Sequence, residues 1–100
     1  IAGARRRQAA LKPYNRGVTA MCQSDFETAE RQFRLAMRTV PDLHLARYNL
    51  ALVLMKRGRH EDAAALLEPL VAARPEEADY GFALGNALFY QTRYDEAAAG

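Results

Sequence analysis

Apolar residues recur at helical spacing along most of the chain. Tyr48, Leu52 and Met55 fall on one stripe of a helix, and residues 26–37 repeat the pattern with charged residues largely on the opposite face. No stretch of any length alternates in the manner of a β-strand, so the sequence predicts an all-α protein. The predicted elements are antiparallel helices over residues 13–23, 26–39, 43–57, 60–73 and 77–90, with the start of another at 93.

Breaks in the apolar pattern separate the predicted helices at equivalent places, and they contain Ser24, Gly58 and Thr92. Ser24 with Glu27 matches a capping box, in which the hydroxyl accepts from the free N–H groups of the first turn and the carboxylate reaches back. Thr92 with Asp95 is a weaker version of this pattern. We therefore expect a new helix to begin after each of these two residues.

The prolines predict helix ends and one interruption. Pro41 and Pro75 end the second helix of a pair, because proline lacks the N–H that the helical ladder needs and biases the preceding residue away from helical angles. Pro69 lies well inside the fourth predicted helix, where we expect it to kink or loosen the helix rather than end it. Pro13 suits the first position of a helix.

The chain repeats itself at a period of 34 residues. At this shift Pro41 falls on Pro75, and Ala29 falls on Ala63 and then on Ala97. We interpret the chain as a piece of a longer protein that carries helical repeats. The predicted units are a basic flank or the end of a preceding helix at 1–9, complete repeats at 10–43 and 44–77, and a shortened third repeat at 78–100.

The 34-residue period, the breaks between helices and the prolines at helix ends together resemble the tetratricopeptide repeat. This repeat is a helix-turn-helix unit of 34 residues whose copies stack into a superhelix. The family pattern asks for a large and then a small residue in the first helix, as in Leu50-Ala51, and an apolar residue three positions later, as in Leu54. In the second helix it asks for a small residue and a large one, here Ala63 and Leu67, and a proline at the end. The chain departs from the pattern at Arg16, where a large apolar residue is usual, and at Pro13, Arg47 and Gly81, where tryptophan is frequent.

The resemblance also implies how the repeats pack. Small residues let neighbouring helices approach closely, which predicts close approaches at Gly17, Ala51 and Gly85. Phe33 and Leu67 are then expected to fill the space between repeats.

In this family the first helix of each repeat lines a concave groove that receives a peptide or helix from a partner protein. The resemblance implies a partner-binding groove made of Tyr14, Asn15, Val18, Tyr48, Asn49, Leu52, Met55, Lys56, Phe82, Asn86, Phe89 and Tyr90. A wider set on the same side adds Leu11, Met21, Cys22, Leu45 and Asp79. These residues are unusually apolar, so we expect a mainly apolar segment or an amphipathic helix as the ligand.

Of two alternatives to this interpretation, the first stays open and the second is disfavoured. Tyr14 with Tyr48, and Asn15 with Asn49, are also the residues that such helices use to pack against their neighbours and fix the repeat geometry. A family subclass clamps the terminal carboxylate of chaperone tails with lysines, an arginine and asparagines. Only Asn49 matches that set, so chaperone-tail recognition is disfavoured.

Composition and charge narrow the class of protein. The chain has 100 residues, of which 50% are apolar and 26% charged, and this fits one small globular domain. No apolar run is long enough to span a membrane. The net charge of +2 is low and most arginines are spaced singly, so we expect no nucleic-acid ligand, and the richness in arginine and alanine favours a bacterial origin.

The sequence predicts no catalytic residue, no metal site and no cofactor. Cys22 is the single cysteine, and we expect it to be a small buried thiol. His44 and His60 lack the spacing of a helical metal site, and Glu61 and Asp62 are explained as acids in the first turn of a helix.

The sequence therefore indicates a noncatalytic scaffold for protein–protein interaction. One alternative is a self-association module, in which the incomplete third repeat drives assembly of a homo-oligomer. A second alternative is the docking arm of a larger enzyme whose catalytic domain lies outside these residues. The sequence assigns no cellular compartment.

Overall fold

A computed structural model describes the backbone of residues 2–99 and the side chains of residues 5–97; the first and last residues of the predicted units lie outside this range. Within that range the chain forms helices and turns and no strand, which confirms the predicted all-α class. The fold is 54 Å long, 30 Å wide and 18 Å deep. Its helices are α1 (Ala2–Cys22), α2 (Phe26–Thr39), α3 (His44–Lys56), α4 (His60–Ala73) and α5 (Ala78–Ala99).

The helices stack as pairs. Each helix packs against the next one along the chain, and the first helices of the pairs, α1, α3 and α5, also contact one another in order. The core lies within and between the pairs, and side chains that the 34-residue period makes equivalent help to fill it. Phe33 and Leu67 are fully buried in the second helices, and Leu50 and Leu54 are fully buried in α3.

Helices α1 and α2 approach each other closely at Gly17. A Cβ atom built on Gly17 would lie 2.7 Å from the Phe33 ring, and the Tyr14 ring also packs against that ring, with centroids 5.8 Å apart. Ala51, the equivalent of Gly17 in the second repeat, is completely buried, as is Leu67. The predicted role of the small residues is therefore confirmed in the first two repeats.

The turns after α1 and α3 depend on residues in the left-handed region. Ser24 has a φ of 60° and Gly58 a φ of 79°, and both reverse the chain after a first helix. The capping box at Ser24 is therefore wrong: the N-cap of α2 is Asp25, whose carboxylate accepts from the Thr28 N–H at 3.2 Å. Hydrogen bonding by the side chain of Thr28, together with its backbone N–H, holds the pKa of Asp25 below its usual value. Glu27 pairs instead with Arg31, at 3.0 Å.

The predicted break at Thr92 is absent. α5 runs without interruption through it, and the Thr92 hydroxyl donates to the Leu88 carbonyl at 3.0 Å instead of capping a new helix. A β-branched threonine resists the left-handed conformation that Ser24 and Gly58 adopt at this place in the repeat. Because α5 does not turn back, nothing lies within 4 Å of a Cβ atom at Gly85, and the close approach predicted there does not form.

The prolines behave as predicted at the ends of the second helices. α2 stops at Thr39 and α4 at Ala73, in each case two residues before a proline, and both helices have the predicted bounds. α4 continues past Pro69, as its apolar stripe indicates. Pro13 does not begin a helix, because α1 already starts at Ala2; the intervening residues are mostly strong helix formers.

A buried carboxylate ties the two repeats together. Glu30 on α2 has a side chain that is only 12% exposed, and it accepts from Arg34 at 3.1 Å, Arg57 at 2.9 Å and Arg59 at 3.1 Å. The sequence pattern had placed Glu30 on the solvent face. Burial is the largest influence on the pKa of Glu30 and raises it, but the Arg34 hydrogen bond and the charges of all three arginines together lower the pKa below its ordinary value of 4.5.

Replacing Glu30 with glutamine is expected to lower the free energy of unfolding by about 1–2 kcal/mol at pH 7, because charge-assisted hydrogen bonds are lost. A carboxylate with a lowered pKa in the folded state stabilises the fold above its unfolded pKa, and this contribution disappears as the pH falls through the folded pKa. The difference between wild type and variant should therefore shrink below about pH 4.5 in urea titrations. Glu27→Gln, which removes an exposed pair, is the matched control and should cost under about 0.5 kcal/mol.

Candidate functional site

The predicted groove residues lie on α1, α3 and α5, the helices that contact one another along one side of the stack. We call the surface formed by these residues and the wider set the first-helix surface. Part of it is half-buried: Tyr14, Val18, Tyr48, Asn49, Leu52, Met55 and Asn86. The rest of the predicted groove is exposed: Asn15, Lys56, Phe82, Phe89 and Tyr90.

Several half-buried members hold the first helices together. The Asn49 side-chain amide donates to the Tyr14 hydroxyl at 3.0 Å, which links α3 to α1. Tyr48 packs against Tyr80 of α5, with ring centroids 5.2 Å apart. Burial raises the pKa of Tyr48, and the negative charge of Asp79 and the neighbouring Tyr80 raise it further. These tyrosines and this asparagine therefore contribute to repeat packing, as the alternative that such residues pack against neighbouring helices expects.

Exposed apolar side chains follow the same surface. Leu11 and Leu45 occupy equivalent places 34 residues apart, at the start of the predicted groove in α1 and α3, and are 50% and 55% exposed. On α5 the predicted Phe82 is 74% exposed, and Phe89 and Tyr90 are also exposed. Leu52 and Met55 lie between these exposed residues and the core, packed against the buried cluster.

A shallow cleft of about 380 Å³ opens where α3 meets α5. Leu45, Tyr48 and Tyr80 supply its apolar lining. Arg7 and Asp42 supply part of its rim and form an ion pair at 3.3 Å. The remaining lining residues are Leu43, His44, Arg74, Glu77 and Asp79. The cleft therefore offers a small apolar floor between charges of both signs.

Asn15 lies apart from the other residues of the first-helix surface. It lines a different cleft together with Lys12, Arg16 and Thr19, on a face of α1 that no other helix covers in the structure. The equivalents of Lys12, Arg16 and Thr19 in the second repeat are buried. They are Ala46, Leu50 and Val53. The departure at Arg16 thus has a physical reason: its position faces solvent here, whereas its equivalent in the second repeat faces a neighbour.

Two reactive side chains differ in exposure: Cys22 belongs to the wider set of the first-helix surface, and His60 begins α4. Cys22 is exposed at the end of α1, so the expectation of a buried thiol is wrong; the helix ends there and the chain turns away. His60 is 8% exposed and lies against the rings of Tyr90 and Tyr94, at 5.4 and 5.1 Å. Glu61 and Asp62 follow in the first turn of α4, as predicted.

Residues 2–99 contain neither a cluster of metal ligands nor a membrane-spanning helix. Among residues 2–99, no three His, Cys, Asp or Glu side chains are grouped as a metal site would require. None of the five helices there combines the length and the apolar content needed to cross a bilayer.

Comparison with known proteins agrees with this architecture. A family model described as tetratricopeptide repeat matches residues 14–78 and again residues 48–99. The protein O-mannosyl-transferase Tmtc3 of Drosophila melanogaster is similar to the chain, with 37% identity over 62 residues, which is 62% of the chain and 7% of that protein. The chain thus corresponds to a small part of this curated relative. The family match covers most of the chain and coincides with the stacked helix pairs, so the chain belongs to the tetratricopeptide-repeat family.

Proposed function

We propose that the chain is a noncatalytic scaffold that binds a largely apolar partner segment on the first-helix surface. Tetratricopeptide repeats serve in general as scaffolds for protein–protein interaction, and the finer assignment concerns the ligand. One observation supports a largely apolar ligand on the first-helix surface. Of the eight large apolar side chains that are exposed within the described part of the chain, five belong to this surface: Leu11, Leu45, Phe82, Phe89 and Tyr90.

The chemistry of these side chains favours an amphipathic helix as the ligand. Complete burial of a fully exposed leucine or aromatic side chain releases about 1.5–3 kcal/mol, and these partly exposed side chains release a share of it when a partner covers them. Leu45 on α3 lines the cleft, and the charges of Arg7 and Asp79 in the same cleft can meet the polar face of the ligand. Phe82 on α5 adds a largely exposed ring to the first-helix surface. Such a ligand presents apolar residues at helical spacing and buries them on the exposed members of the surface.

The proposal is tested with a phage-displayed library of peptides about 15 residues long, selected on the purified chain. The selected peptides should carry apolar residues three and four positions apart. Leu45→Glu should weaken their binding at least tenfold, because it places a charge in the apolar contact. A tenfold change in the dissociation constant corresponds to about 1.4 kcal/mol. Titration calorimetry of the strongest peptide gives the dissociation constants.

Leu35→Glu is the matched control, because Leu35 is an exposed leucine on α2, outside the first-helix surface. It should leave the dissociation constant within about twofold. Peptides rich in charge, or equal losses of affinity in the two variants, would contradict the proposal. Circular dichroism of both variants checks that the helical fold is intact.

A docking arm of a larger enzyme is a second proposal, supported by the transferase named among the similar proteins. The segment that resembles that transferase covers 62 residues of this chain. The sequence of the gene around this segment distinguishes the two proposals. A catalytic domain encoded beside the repeats supports the docking arm, and its absence supports the free scaffold.

A further inference from the structure

The junction between α3 and α5 differs from the equivalent junction between α1 and α3. At the first junction the Tyr14 hydroxyl accepts a hydrogen bond from the Asn49 side-chain amide at 3.0 Å. Tyr48 is the equivalent of Tyr14 in the second repeat, and the equivalent of Asn49 in the third repeat is an alanine, Ala83. Because alanine has no side-chain donor, the hydrogen bond of the first junction has no counterpart at the second. Tyr48 therefore lacks the partner that Tyr14 has.

A second aromatic ring and a carboxylate are present at the junction between α3 and α5. Tyr80 on α5 stands at the place that Ala46 has on α3. Its ring is almost fully buried and lies against the Tyr48 ring, with centroids 5.2 Å apart and an angle of 46° between the planes. Asp79 stands at the place of Leu45 and is exposed. The third repeat thus provides a tyrosine ring and a carboxylate where the second repeat has two apolar residues.

The cleft at this junction is negatively charged beside the two rings. Arg7 and Asp42 are paired at 3.3 Å, so their charges offset each other. The other charged residues of the lining are two carboxylates and one arginine: Glu77, Asp79 and Arg74. Burial raises the pKa of Tyr48, and the negative charge of Asp79 raises it further. The Asp79 charge therefore acts at the Tyr48 hydroxyl, where it favours a positive group.

We propose that this cleft binds a lysine or arginine side chain of the partner segment, with the cation between the Tyr48 ring and the Asp79 carboxylate. The inference rests on the proposed function, because the same segment places its apolar residues on the first-helix surface. A cation is attracted to the face of a tyrosine ring within about 6 Å of the ring centroid. Its N–H groups can also donate to the Tyr48 oxygen, as the Asn49 amide does to Tyr14 at the first junction.

The lining of the cleft suits the whole basic side chain and not only its charge. Leu45 is 55% exposed in the lining and can cover the methylene groups of a lysine or arginine. An acidic side chain in the same place would meet the carboxylates of Glu77 and Asp79. The preferred ligand is therefore an amphipathic helix with a basic residue beside its apolar stripe.

Two small probes test the cleft without a partner protein. Acetyl-arginine amide carries the cation, and acetyl-citrulline amide replaces the guanidinium with a neutral urea of nearly the same shape. Each is added at matched ionic strength, up to about 50 mM, to the chain with ¹³C-labelled tyrosine, and the ring signals are followed by NMR. The arginine probe is expected to move the Tyr48 and Tyr80 signals and to bind about fivefold more tightly than the citrulline probe.

Two variants and a control locate the preference. Asp79→Asn should bring the affinities of the two probes within about twofold of each other, because it removes the charge that favours the cation. Tyr48→Phe keeps the ring and removes the hydroxyl, and should weaken the arginine probe about threefold. Asp95→Asn is the matched control, because Asp95 is a carboxylate on the same helix that lines a different cleft. It should keep the preference for arginine.

Several outcomes would overturn the basic-side-chain site. They are equal binding of the two probes, ring signals that do not move at about 50 mM, or equal effects of Asp79→Asn and Asp95→Asn. Phage-selected peptides that depend on Leu45 but carry no basic residue would also overturn it, while the proposed function would stand. A preference for the arginine probe together with a failed peptide selection would support the site and contradict the amphipathic-helix ligand.

Discussion

Replacing Phe33 with alanine is expected to lower the free energy of unfolding by about 3–5 kcal/mol. The Phe33 ring is completely buried between α1 and α2, in contact with Tyr14 and directly over Gly17. Its removal leaves a cavity that the helix backbones cannot close, and domains of this size have only about 5–15 kcal/mol in total. Urea unfolding followed by circular dichroism at 222 nm measures the loss.

Leu35→Ala on the same helix is the control for the Phe33 variant. Leu35 is 40% exposed, so its truncation removes far less buried surface and should cost less than about 1 kcal/mol. Equal losses in the two variants would show that Phe33 does not fill the space between the helices. A variant of Phe33 that fails to fold at 25 °C agrees with the expectation if the Leu35 variant folds.

Replacing Gly17 with alanine is expected to destabilise the chain by about 1–2 kcal/mol, although alanine is the better helix former. The new methyl group would lie 2.7 Å from a ring carbon of Phe33, well inside the contact distance, and the buried ring has little room to move. Overpacking of this kind costs about 1–3 kcal/mol and outweighs the gain of up to about 1 kcal/mol in helix propensity.

Gly81→Ala makes the same exchange in open space. Gly81 lies in α5 with nothing within 4 Å of an added Cβ atom, so the variant should be more stable than wild type by about 0.5–1 kcal/mol. Thermal unfolding of the pair should therefore shift in opposite directions. Stabilisation by both substitutions would contradict the close approach of α1 and α2.

The repeat architecture was predictable because its packing rules are local and periodic. Residue pairs such as Phe33 and Leu67 recur at a fixed shift, and each is buried at the same place in its repeat. α2 and α4 have their predicted bounds because a proline follows each of them. The bacterial origin that composition favours stays a prediction.

The ends of the stack were less predictable, because they depend on neighbours and on single turn residues. The period treats Ser24, Gly58 and Thr92 as equivalent, but only the first two adopt the left-handed conformation that reverses the chain. The straight α5 follows from that difference. The burial of Glu30 was not predicted either. A helical pattern shows which side of α2 is polar, but it does not show that Arg57 and Arg59, in the turn between α3 and α4, cover the Glu30 side chain.

The predicted surface for a partner depended on the family resemblance more than on any motif. The structure gives Tyr14 and Asn49 a hydrogen bond to each other, which a period of 34 residues does not reveal. It leaves Phe82 largely exposed, whereas its equivalents Tyr14 and Tyr48 are half-buried, because ring partners and neighbouring helices differ between repeats. Packing partners across helices thus decide which members of the surface stay available to a ligand.

The most direct test of the proposed binding mode is a map of amide chemical shifts in the isotope-labelled chain on addition of the strongest selected peptide. The proposal predicts that the largest changes fall on α1, α3 and α5, around Leu45 and Phe82. Changes concentrated on α2 and α4, with these residues unaffected, would contradict the assignment of the first helices as the partner-binding surface.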